Sequence, residues 1–161
     1  MQWQFARSII AECAINRWGG ETFKGFSAGS HALGEIHPMT LEVLKELNYD
    51  TSGLRSKSWD EFAHPDSPPI DLVQTLCDDT AGQTCPVWPR KPLTAHWGSA
   101  DPVSFEGTER QKRRIFLETY RQIESHIKLL IPLPVDVLDR LSLQRRITEI
   151  GKVTSLADRS G

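Results

Sequence analysis

Short apolar segments of strand type alternate with amphipathic helices along this chain of 161 residues. Segments 70–77 and 93–97 are apolar and bounded by proline-rich loops, which is typical of buried strands. Segment 22–30 alternates Phe23 and Phe26 with smaller residues and ends at a glycine turn, so a third strand is predicted there. The alternation predicts an α/β fold of three layers, with a parallel sheet and helices on both of its faces. In such folds ligands bind beyond the carboxyl ends of the strands.

Capping signals and apolar stripes predict the helices. Ser8 is a predicted N-cap for the first helix, and Pro38 marks the start of a second. Thr108 and Gln111 form a predicted capping box for the longest helix. The apolar stripe of that helix consists of Phe116, Tyr120, Ile123, Ile127 and Leu130. This stripe predicts a helix that lies against the core along most of its length.

Composition excludes several classes of protein. Lys and Arg number 19 against 21 Asp and Glu, for a net charge of -2, so a nucleic-acid partner is not expected. Apolar runs fall far short of the roughly 18 to 20 residues of a membrane span, and no secretory signal is evident. We therefore expect a soluble, cytoplasmic protein without a membrane partner. The three cysteines, Cys13, Cys77 and Cys85, are too few and odd in number for a disulfide framework.

Five motifs follow one another along the chain: ARSIIAE, FSAGS, DTSGLRSKSWDEF, TLCDDTAGQTC and HWGSADP. With the long final helix, this series resembles the low-molecular-weight tyrosine phosphatase family, and within it the arsenate reductases that recycle through a disulfide. The resemblance covers most of residues 5–131. It implies a phosphatase-like domain over 1–131 whose first strand is truncated, followed by a C-terminal helical extension and tail over 132–161.

The family's anion-binding loop reads Cys-x5-Arg-Ser, with the thiolate ringed by backbone N–H groups at a helix N-terminus. Arg7 and Ser8 match its end and are the expected oxyanion-binding residues, and Arg7 is also an expected catalytic residue. The position of the nucleophile falls on Met1, whose thioether supplies no thiolate. We therefore expect the chain to be inactive as written. Without a strand inside its sheet, it is also expected to express poorly or to aggregate.

The codons for residues 1–5 suggest a reason for the missing cysteine. Read one base later, they spell Cys, Asn or Ser, Gly, Asn or Ser, and Ser or Leu, which is compatible with Cys-x-Gly-Asn-Ser. The hypothesis is that one base is missing near the codons of Phe5 and Ala6. The alternative is a genuine, unrelated N-terminus.

The resemblance assigns a redox cascade to the cysteine pair. In the reductases the nucleophilic cysteine attacks arsenate, and the residue matching Cys77 then attacks the adduct and releases arsenite. The residue matching Cys85 resolves the disulfide, and thioredoxin or glutaredoxin reduces the resulting Cys77–Cys85 bond. The alternative is that Cys77 is a small buried core residue. Cys13 has apolar neighbours on the first helix and is predicted to lie in the core.

The resemblance makes Asp101 the general acid that protonates the departing oxygen. Some of the reductases also hold a potassium ion beside the loop. Glu12, Ser27 and Asp60 match its ligands by position, with Gln4 in the place of the fourth. No other metal or cofactor is expected, because a zinc site at the cysteine pair would need further ligands.

Two alternative functions remain open at this point. A protein tyrosine phosphatase would need the nucleophile, Arg7 and Asp101 but has no use for Cys77 and Cys85. A non-catalytic pseudoenzyme that binds an oxyanion or a partner protein would fit the methionine at position 1.

Overall fold

The computed structural model describes residues 6–29, 35–75, 92–97 and 102–152. Within these ranges the chain forms four α-helices and two strands. The helices are α1 (Ala6–Trp18), α2 (Pro38–Glu46), α3 (Glu109–Leu130) and α4 (Arg140–Ile150), and the strands are β1 (Leu72–Thr75) and β2 (Leu93–His96). Short 3-10 turns cover Trp59–Phe62 and Pro102–Ser104. None of the helices in the described ranges has the length and apolar character needed to cross a membrane.

The sheet confirms the predicted parallel α/β class. Strands β1 and β2 are parallel, with Leu72 opposite Leu93 at one end of the register. The strand predicted over 22–30 is wrong for the part that the structure describes, where Gly29 forms only an isolated bridge with Ser58. A strand requires a neighbour that satisfies its backbone N–H and C=O groups, and the described residues supply that neighbour at Gly29 alone.

The predicted capping box of α3 is present. The Thr108 side chain accepts the backbone N–H of Gln111 at 3.2 Å, and the Gln111 side chain accepts the backbone N–H of Thr108 at 3.0 Å. By contrast, α1 begins at Ala6, so Ser8 lies within the first turn instead of capping it. His37 caps α2 through Nδ1, which accepts the N–H of Met39 at 3.1 Å.

Helices α1 and α3 pack side by side and form the centre of the main core. All five residues of the predicted α3 stripe are buried, and Ile10 and Ala14 of α1 lie in the same core as most of them. Helix α4 packs on β2 and α3 and adds Ile147 and Ile150 to this core. The Trp97 indole N–H donates to the carbonyl oxygen of Ile147 at 2.9 Å. The C-terminal segment therefore folds back onto the domain.

Replacing Thr108 by Ala removes the capping side chain of α3. We expect the free energy of unfolding to fall by about 1 kcal/mol, because the N–H of Gln111 loses its partner. Urea denaturation of the full chain measures this change. Ser125→Ala is the matched control, since its hydroxyl donates to the carbonyl of Arg121 within the same helix and caps no helix end. Equal losses for the two variants would contradict a specific role for the cap.

Candidate active site

Arg7 and Ser8 lie in the first turn of α1 and line the same cavity. The Arg7 residue is only 5% exposed, although its guanidinium always carries a charge. The first backbone N–H groups of a helix point away from it without helical partners, and they favour an anion. A guanidinium beside them presents further donors to an oxyanion in a planar arrangement. This turn therefore has the chemistry of an oxyanion site.

The cavity has a volume of about 950 Å³ and is lined by residues of α1, β1 and the segment 22–28, among others. Its walls are largely apolar and include Phe23, Phe26, Val73 and Ile127 of α3. Leu93 of β2 and the following Trp97 line it as well, so the cavity extends from the first turn of α1 to both strands.

Gln74 of β1 lines this cavity and was not foreseen from the sequence. Both polar atoms of its carboxamide are buried, and neither has a hydrogen-bond partner in the part of the chain that the structure describes. A buried polar group without a hydrogen-bond partner lowers the free energy of unfolding.

Lys57 and Glu12 form a buried ion pair one helical turn beyond Ser8. The Lys57 ammonium lies 3.3 Å from Oε1 of Glu12, and the side chains are 8% and 11% exposed. The same carboxylate oxygen accepts the backbone N–H of Ser27 at 3.1 Å. Lys57 is a second residue that sequence reasoning missed, because it lies 45 positions from its partner.

Cys13 is buried on α1 and packs with Ile9 and Leu44, as predicted. Burial raises the pKa of its thiol to about 11, and the neighbouring Glu12 carboxylate contributes in the same direction. The thiolate is the reactive form of cysteine. Cys13 is therefore unreactive in the folded chain at neutral pH.

Several predicted site residues lie outside the described residues: Met1, Gln4, Cys77, Cys85 and Asp101. Their roles stay predictions. Of the predicted catalytic and oxyanion-binding residues, the structure places Arg7 and Ser8, and it brings them together on one turn of α1.

Comparison with known proteins identifies the family. Residues 4–145 match the model of the low molecular weight phosphotyrosine protein phosphatase family. The chain belongs to this family. The resemblance predicted from the motifs is therefore confirmed.

Relatives of this phosphatase-family chain are named arsenate reductases. One from Bacillus subtilis is 34% identical over 122 residues, which cover 76% of this chain and 84% of the relative. One from Staphylococcus xylosus is 37% identical over 67% of this chain and 79% of the relative.

Solved structures of arsenate reductases share the fold. One from Archaeoglobus fulgidus superposes with a TM-score of 0.56 at 22% identity and covers 78% of this chain and 94% of that one. A thioredoxin-dependent arsenate reductase from Corynebacterium glutamicum gives a TM-score of 0.54 at 27% identity, covering 78% of this chain and 56% of that one.

Two of the residues that match the family's potassium ligands, Glu12 and Asp60, already have other partners in the described residues. The Glu12 carboxylate already faces the Lys57 ammonium. Asp60 is exposed, and its Oδ2 accepts the hydroxyl of Ser58 at 3.3 Å. Within the described ranges, no group of three or more His, Cys, Asp and Glu side chains has a metal-binding arrangement.

The high pKa of Cys13 predicts slow alkylation. In the folded chain at pH 8, iodoacetamide should modify Cys13 at least about 100-fold more slowly than in urea, because a pKa near 11 leaves little thiolate and burial blocks access. Peptide mass spectrometry after timed quenching measures the rate.

The same shift predicts a loss of stability in alkali. As the pH rises, the Cys13 thiol ionises in the unfolded chain before it ionises in the folded chain. Its contribution to the free energy of unfolding is therefore complete below the ordinary pKa of 9.0 and declines as the pH rises towards 11. Cys13→Ala should remove this part of the pH dependence. If iodoacetamide modified Cys13 in the folded chain as fast as in urea, the raised pKa on which both predictions rest would be contradicted.

Proposed function

We propose that this chain represents an enzyme that reduces arsenate to arsenite through a cascade of cysteine thiols. The observation that carries the proposal is the similarity to proteins named arsenate reductase over about three quarters of the chain. The presence of Cys77 and Cys85 supports it, because a phosphatase of this family has no use for such a pair. The buried Arg7 on the first turn of α1 supports an oxyanion substrate.

The proposed reaction moves two electrons from thiols to arsenic. A thiolate in the anion loop attacks arsenate, and water departs with a proton from Asp101. The Cys77 thiolate attacks the sulfur of this adduct, so the sulfur–arsenic bond breaks and its electron pair leaves with arsenite. Cys85 then attacks the new disulfide and frees the first thiolate. The Cys77–Cys85 bond that remains is reduced by a dithiol protein.

We assign to Arg7 the role of stabilising the negative charge on arsenic's oxygen atoms in these steps. Its guanidinium and the N–H groups of the first α1 turn stabilise the arsenate adduct. The same positive field lowers the pKa of a cysteine placed in the loop, which keeps it as the thiolate.

Met1 stands at the position where the cascade needs this first thiolate. We infer that the sequence as written binds an oxyanion but does not turn it over. The reductant that we assign is thioredoxin or glutaredoxin, and this assignment places the protein in the cytoplasm, where both keep thiols reduced.

Restoring the loop should restore activity. The variant combines Met1→Cys, Gln2→Asn, Trp3→Gly, Gln4→Asn and Phe5→Ser, preceded by the first strand of the Bacillus subtilis relative. We expect arsenite formation with thioredoxin, thioredoxin reductase and NADPH at a rate at least about 10³-fold above that of the chain as written, because a nucleophile is gained.

Three controls share the added strand. Keeping Met1, or changing Cys77 to Ser, should each abolish turnover, whereas Cys13→Ser should leave it unchanged. The chain that retains Met1 separates the contribution of the strand to folding from that of the thiol to chemistry. Hydrolysis of p-nitrophenyl phosphate without arsenate reduction by the restored chain would contradict the proposal and indicate a phosphatase.

A further inference from the structure

The Lys57 ammonium occupies a pocket of oxygen atoms beside α1. It donates to Oε1 of Glu12 at 3.3 Å and to the backbone carbonyl of Arg55 at 3.2 Å. The Lys57 side chain is only 8% exposed, so a full positive charge lies here away from water. A neighbouring ion pair, Arg55 with Glu61, lies on the surface, with side chains 61% and 42% exposed.

Carboxylate and carbonyl oxygens are also the ligands that hard metal cations prefer in proteins. A lysine ammonium and an alkali cation carry the same charge, and both are held by such oxygens. The Glu12 carboxylate supplies one negative charge, and Lys57 balances it. A second cation within a few ångströms of the ammonium would be repelled strongly in this buried setting.

We propose that the Lys57 ammonium is the resident cation of this site and that it takes the place of a bound alkali ion. The site then needs no potassium from solution. This inference concerns the bound cation alone and does not depend on which reaction the protein performs.

The position of Lys57 gives this internal cation a structural role. Its carbonyl accepts the N–H of Gly29 at 2.9 Å, and the carbonyl of Gly29 accepts the N–H of Trp59 at 3.1 Å. Its ammonium reaches across to Glu12 on α1, which also accepts the N–H of Ser27. Lys57 thereby ties two loop segments to the helix that presents Arg7, and it is a positioning residue.

The first test compares ions on the chain with its native Lys57. Its melting temperature should be the same in KCl, NaCl and choline chloride of equal ionic strength, because the site already holds its cation. A rise specific to KCl would overturn the proposal, and this measurement requires no variant to fold.

The second test removes the ammonium and offers an ion in its place. Lys57→Ala should melt roughly 5 to 15 °C lower in choline chloride, since it leaves the Glu12 carboxylate buried without its cation. Potassium chloride or methylammonium chloride should recover at least half of this loss by binding at the vacated position.

Matched variants separate the site from general charge effects. Arg55→Ala changes the net charge equally in the same loop but breaks only the exposed pair, so it should shift the melting temperature little and show no preference for potassium. The double variant Glu12→Gln/Lys57→Met lacks both the carboxylate and the ammonium. Neither potassium nor methylammonium should therefore raise its melting temperature. A Lys57→Ala chain that responds equally to potassium and choline would overturn the proposal.

Discussion

The packing of α1 against α3 is the contact on which the rest of the structure depends. Ile10 and Ala14 of α1 share one core with Ile123 and Ile127 of α3. Truncating a buried isoleucine to alanine typically costs about 2 to 5 kcal/mol, so this interface carries a large part of the marginal stability of a domain. The contact fixes the direction of α1 and therefore the position of its first turn. That turn carries Arg7 and Ser8, the residues to which we assign the oxyanion.

Two features beside α1 define the surroundings of this turn. A cavity with apolar walls extends along β1, and within the described residues the buried amide of Gln74 has no hydrogen-bond partner. The ion pair of Lys57 and Glu12 nevertheless holds the loop segments around Ser27 and Gly29 to the helix. The ion pair therefore anchors both loop segments beside the first turns of α1.

Features encoded by neighbouring residues were predictable from the sequence, and features that depend on distant partners were not. The capping box of Thr108 and Gln111 and the buried stripe of α3 depend on local spacing, and both were correct. The strand over 22–30 needs a neighbour in space, so its alternating pattern was not sufficient. The Lys57–Glu12 pair joins residues far apart in sequence, and a lone lysine in a loop gives no signal of it. The family was identified because its motifs recur in order, which does not require knowledge of contacts.

The measurement that tests the central claim most directly is a disulfide map of the chain after mild oxidation with diamide. Diamide takes two electrons and two protons from a pair of neighbouring thiols and is itself reduced to the hydrazine. The account predicts one intramolecular bond, between Cys77 and Cys85, which thioredoxin reduces while Cys13 stays a free thiol. An oxidised chain in which Cys77 and Cys85 remain unpaired, or in which either is bonded to Cys13, would contradict the assignment of a reductase cascade.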